Sequence, residues 1–107
     1  MVYTFTTAIF PSHKAPEAAK KFLEQLSKYP ADESLGETLV NAAVKTTTCG
    51  IRVVTISKIN KGKLEEALTR GNEILAMFND IEGFEYSYEV WSEAGEALAT
   101  LGMKMPE

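Results

Sequence analysis

Chemistry in this 107-residue chain would have to come from a few side chains. His13 is the single histidine, in the loop FPSHKAP between Pro11 and Pro16. An imidazole titrates near neutrality, so at a pocket mouth it could shuttle a proton or act as an axial haem ligand. Flanked by Ser12 and Lys14, it reads more simply as a solvated loop residue. Tyr86 and Tyr88 stand two apart in EYSYEVW (85–91). Their hydroxyls could hydrogen-bond a ligand, or reach an edge while the rings fill the core. These three are the catalytic candidates. Glu85 and Glu89, four residues apart on a strand, would lie about 13 Å from one another. That is too far for a two-carboxylate catalytic pair, so they read as structural partners for Arg52 or Lys58. Trp91, the chain's one tryptophan, reads as an interface anchor. Cys49 stands alone, with no neighbouring base or helix start to lower its pKa, and reads as structural.

Broader motifs are missing. There is no phosphate-binding loop, no dinucleotide glycine pattern and no Ser-His-Asp order, and one histidine cannot build a multi-histidine metal site. No cofactor and no metal are expected. One cysteine also excludes an internal disulfide and a Cys-x-x-Cys site. The net charge of −4 argues against a nucleic-acid partner, which would need a basic face. Lys20 and Lys21, or Lys58, Lys61 and Lys63, read as solvated faces. MVYTFTTAIF lacks the basic start of a signal peptide and alternates Thr with apolar residues as a strand does. No apolar run approaches the ~20 residues of a membrane helix. One domain in a reducing, cytoplasmic setting is the expectation.

The elements that must hold these residues can be read in order. Val2–Phe10 has strand composition. Pro16 opens a helix over 16–29, with Ala19, Phe22, Leu23, Leu26 and Tyr29 as its stripe and Pro30 beyond it. PADESLGET reads as loop. LVNAAVKTT (39–47) reads as strand, though its alanines leave a short helix open. Gly50 permits a turn into IRVVTISKI (51–59). Asn60 is placed to cap a second helix with the stripe Leu64, Ala67, Leu68, Gly71, Leu75 and Phe78, ending around 79–83. EYSYEVW follows, then a short helix capped by Ser92 with Ala94, Ala97, Leu98 and Leu101 inward. This order, β-α-β-β-α-β plus a terminal helix, predicts an α+β, ferredoxin-like domain with both main helices on one face of a four-stranded antiparallel sheet.

The other face begins bare. On EYSYEVW it holds Glu85, Ser87, Glu89 and Trp91; on IRVVTISKI both alternating sets contain apolar residues, which a sheet buried on one side alone would not show. A second copy of the same sheet is the economical cover. The strand and helix order, the IRVVTISKI strand, the LEEALTRGNEILAMF helix and the closing EYSYEVW strand resemble the dimeric α/β-barrel superfamily. That resemblance implies a homodimer packed sheet to sheet, with Glu85, Glu89, Trp91 and Arg52 at the interface. It also implies a site between each sheet and its own helices, here lined by Tyr86 and Tyr88 and closed by Phe22 and Phe78. Other proteins of similar layout fit less well. An RNA-recognition motif needs rings where Ile51, Val53 and Ile56 stand and metal chaperones need paired cysteines; an ACT-like regulatory domain stays open by pattern, although such domains usually accompany another domain. Two functions remain as expectations. One is a dimer that binds a small apolar ligand or regulates through it. The other is a cofactor-independent monooxygenase or isomerase.

Overall fold

β-branched and aromatic residues dominate two stretches of the chain, and these become the two central strands of the sheet. A computed structural model describes residues 1–106. Its elements are β1 (Val2–Phe10), α1 (Ala15–Lys28) after a 3-10 turn at Ser12–Lys14, β2 (Gly36–Thr47), β3 (Gly50–Ile59), α2 (Leu64–Ala76), β4 (Glu85–Ser92) and α3 (Ala94–Ala99). The chain is thus α+β, with four strands and three α-helices among the described residues. The sheet is antiparallel in the order β2-β3-β1-β4. β1 and β2 run parallel with β3 between them, and β3 and β4 run parallel with β1 between them. Each strand–helix–strand unit therefore receives one strand of the other.

Register fixes which side chains share a face. On one side, Thr38, Ser57 and Thr4 form a cross-strand row; Thr55, Thr6 and Tyr88 form the next; Val44, Val53, Ala8 and Tyr86 follow, then Thr46, Ile51 and Phe10. α1 and α2 lie over this side. On the other side stand Tyr3, Phe5, Thr7 and Ile9 of β1, Arg52, Val54, Ile56 and Lys58 of β3, and Glu85, Ser87, Glu89 and Trp91 of β4. None of these twelve side chains is buried.

The tightest packing sits at one end of the helix-covered side. Phe10, Ala18, Phe78 and Ile81 form the buried cluster, with Phe22, Ile51, Val53, Met77 and Phe84 packed against it. The Phe84 ring stacks on Phe78 at 4.9 Å and on Phe10 at 5.5 Å. The β2–β3 turn is equally constrained: Gly50 has φ +126°, and a Cβ there would meet the Phe10 carbonyl oxygen at 2.5 Å. Only glycine fits both demands.

Several expectations need correcting. β2 begins at Gly36, inside the stretch read as loop, because pairing with β3 extends to Gly36–Ile59 despite weak strand formers. Asn60 does not cap α2; its amide donates to the Glu33 and Ser34 carbonyls at 3.1 Å each, and the helix starts at Leu64. Ser92 is the last residue of β4, and Glu93 stands at the start of α3. Leu23 of α1 is exposed, and Leu101 is exposed too because α3 ends at Ala99, two residues before it. Cys49 is exposed at the hairpin tip, so it has no packing role there.

Candidate functional site

The space between sheet and helices is a cavity of about 700 Å³. Its shape follows from residue size along α2. Toward the phenylalanine cluster the helix presents Ile74 and Leu75, with Phe78 just past its end; toward the other end it presents Ala67 and Gly71. Small residues at these positions leave volume unfilled between helix and sheet. Gly71 has a particular partner: a Cβ at this position would overlap the Tyr88 hydroxyl. A mid-helix glycine costs about 1 kcal/mol against alanine, and here it admits a tyrosine ring.

The floor of the cavity is unusual for a helix-covered sheet. Thr4, Thr6, Thr38, Thr55 and Ser57 all line it, and Thr4 is buried. Beside them the Tyr88 hydroxyl donates to the Ala67 carbonyl at 3.3 Å. Burial pushes the Tyr88 phenol above its ordinary range, and the neighbouring Thr4 hydroxyl draws it part of the way back. Tyr88 is therefore a neutral hydroxyl at physiological pH. At the mouth, the Arg70 guanidinium donates to the Pro30 carbonyl and lies 5.9 Å from the Tyr29 ring centre. Asp32 is held below the usual carboxylate range by hydrogen bonds from the Ser34 hydroxyl and amide, with Arg70 adding to the effect.

Three of the four residues expected around this space do line it: Phe22, Phe78 and Tyr88. Tyr86 does not. It shares their face, but β4 is an edge strand and its ring lies beyond the cover, with its hydroxyl donating to Asn79 Oδ1 at 3.0 Å. His13 is exposed in the 3-10 turn and does not line the cavity. Asn41 was not anticipated. β2 loses register between Val40 and Ala43, where Asn41 and Ala42 together stand opposite Thr55, and both line the cavity, with Ala42 in the left-handed region at φ +59°. A bulge re-aims side chains in this way, and strict alternation in the sequence cannot announce it.

The residues expected at an interface all lie on the open face. Trp91 is 51% exposed and stacks on Phe5 at 4.6 Å. Glu85 and Arg52 flank Ile9 from opposite sides, two strand spacings or about 10 Å apart, so they do not meet within the chain. Lys58 instead pairs with Glu93 at 3.6 Å. Among the described residues no cluster of three or more potential metal ligands forms, and no helix is long and apolar enough to cross a membrane.

No family model matches the chain, and no curated protein matches it either. Solved structures do. The chain is similar to a de novo designed protein, Foldit4, with a TM-score of 0.54 at 16% identity over 86% of this chain and 96% of that one. It is similar also to protein Atu4242 from Agrobacterium tumefaciens, with a TM-score of 0.52 at 18% identity over 88% of this chain and 94% of that one. What the chain shares with them is the fold, a small α+β arrangement on a four-stranded antiparallel sheet.

Proposed function

We propose that the protein is a homodimer of ferredoxin-like subunits, packed sheet to sheet as in dimeric α/β barrels, and that each subunit binds a small, largely apolar molecule between its sheet and helices. The observation that carries the binding reading is the cavity itself, about 700 Å³ with phenylalanines at one end and hydroxyls along its floor. Ligand sites are typically concave and mostly apolar with a few placed polar groups. The dimer is supported by the open face. Its aromatic and aliphatic side chains form an apolar patch of the kind that marks interaction sites, and Glu85 and Arg52 on opposite flanks suit a twofold partner. The interlocked strand–helix–strand units support the ferredoxin-like assignment. A catalytic role without cofactor would require a base at the cavity. His13 lies outside it and Tyr88 stays protonated, which leaves the lining carboxylates Asp32 and Glu37, the first already held by Ser34, as the groups such a reading would need.

The test uses N-phenyl-1-naphthylamine, a neutral probe that fluoresces in apolar surroundings. The expected result is saturable enhancement at one probe per chain, lost in a Thr6→Trp variant that fills the cavity floor while keeping its circular dichroism. No enhancement with the wild type, or an unchanged signal in Thr6→Trp, would remove the cavity from consideration.

A further inference from the structure

Helix-facing positions of a sheet normally carry apolar side chains, and this sheet departs from that rule in one band. Thr38, Ser57 and Thr4 make one cross-strand row and Thr55, Thr6 and Tyr88 the next, with Asn41 brought alongside by the bulge. Beyond the band the rows return to Val53 and Ala8, then Ile51 and Phe10. Strand propensity does not explain it, since valine forms strands as well as threonine and would gain burial here. A local rule broken without structural return is the mark of a functional site. The band opens on the cavity, so its hydrogen-bonding capacity is turned toward whatever the cavity holds.

Resting on the binding reading above, we propose that this band selects the ligand's head group: an uncharged hydrogen-bonding head, such as an amide or alcohol, with the apolar body directed toward Phe10, Phe22 and Phe78. The floor offers hydroxyls and one amide, which both donate and accept. It offers no ionised side chain in either row, and a charged head buried there without a partner is strongly disfavoured. Of the charged residues that line the cavity, Arg70 is already engaged with Pro30 and Tyr29 and acts on Asp32, and Glu37 stands next to Thr38 at the position paired with Lys58. Tyr88 belongs with the neutral groups, because burial keeps its proton in place. The strained backbone at Ala42 fits the same role, since positive φ in a non-glycine residue tends to persist where it positions a site.

Displacement of N-phenyl-1-naphthylamine by octanamide and by octanoate tests this, in the wild type, in Thr6→Val/Thr55→Val and in Asn41→Ala. The wild type should release the probe to octanamide at about tenfold lower concentration than to octanoate, the ratio expected from one or two hydrogen bonds. The double valine variant should keep the probe and melt no lower than the wild type, yet bind octanamide about tenfold more weakly. Asn41→Ala should weaken octanamide in the same direction. Octanoate binding as well as octanamide, or octanamide unaffected by the valines, overturns the proposal while leaving the cavity as a binding site. A double variant that no longer folds overturns it too, because the hydroxyls would then belong to the fold. A wild type that never binds the probe ends both readings.

Discussion

On the side covered by α1 and α2, the two central strands present Thr4, Thr6, Thr55 and Ser57 at mid-sheet; on the open side, the same strands present Phe5, Thr7, Val54 and Ile56. Polarity is thus inverted relative to cover. A folded monomer normally hides its apolar row and hydrates its hydroxyls. The inversion is confined to the middle of the sheet, since toward the β2–β3 turn the covered side becomes conventional, with Phe10, Phe78 and Phe84 in stacked contact. The aromatic packing and the proposed binding floor thus occupy different ends of one layer. On the dimer proposal, the open side is where a second copy packs.

The comparison can be broken most forcefully at the conventional end. Phe78→Ala should cost about 3 kcal/mol, the low end for a buried phenylalanine because a cavity already lies beside it. Urea unfolding monitored by circular dichroism would measure it. A loss under about 1 kcal/mol would mean that the aromatic cluster does not carry the fold. Next is Trp91→Ala on the open side, expected to weaken self-association by about 2 kcal/mol, or roughly 30-fold, with little effect on monomer folding. Sedimentation equilibrium decides it, and a wild type that stays monomeric at tens of micromolar removes the sheet-to-sheet dimer.

Gly71→Ala sharpens the polar end. Overpacking against Tyr88 should destabilise by about 2 kcal/mol, of which better helix propensity returns about 1. A net change near 1 kcal/mol should accompany a lowered Tyr88 pKa in spectrophotometric titration, as the displaced ring gains water. An unchanged titration would show that the ring does not depend on this glycine. Smallest of all, His13→Ala should change stability by under ~0.5 kcal/mol and leave probe binding intact, since the residue belongs to neither side. A large drop in melting temperature would return His13 to the list of working residues.

How much of this was legible beforehand varies with the kind of signal. β1 and β3 were read within a residue or so because VYTFTTAIF and IRVVTISKI combine strand formers with flanking turn residues. The start of β2 was missed because Gly36, Glu37 and Thr38 join the sheet through pairing with β3, a non-local effect absent from local propensity. Asn60 looked like a cap by type and place, but its amide is taken by two carbonyls from the preceding loop. At the site, Phe22, Phe78 and Tyr88 followed from helical and strand periodicity. Tyr86 had the right parity and the wrong depth, since parity says nothing about where a helix stops covering an edge strand. Asn41 depended on a backbone irregularity that side-chain pattern does not encode.

That irregularity has a consequence for growth of the sheet. β2 is one of its two borders, and its hydrogen-bonding register shifts between Thr38 and Val40 and again between Val40 and Ala43. A border interrupted twice makes a poor template for an incoming strand, because its free amides and carbonyls do not run in a regular line. The opposite border, β4, is eight residues long and carries Glu85 and Glu89, both exposed. Short length and like charges discourage a second β4 from docking alongside. Both lateral routes to endless fibrillar addition are thereby blunted, while the open face with Phe5 and Trp91 stays accessible. Edge-to-edge growth into an open-ended ribbon is therefore disfavoured, which is compatible with the closed, face-to-face pair proposed above.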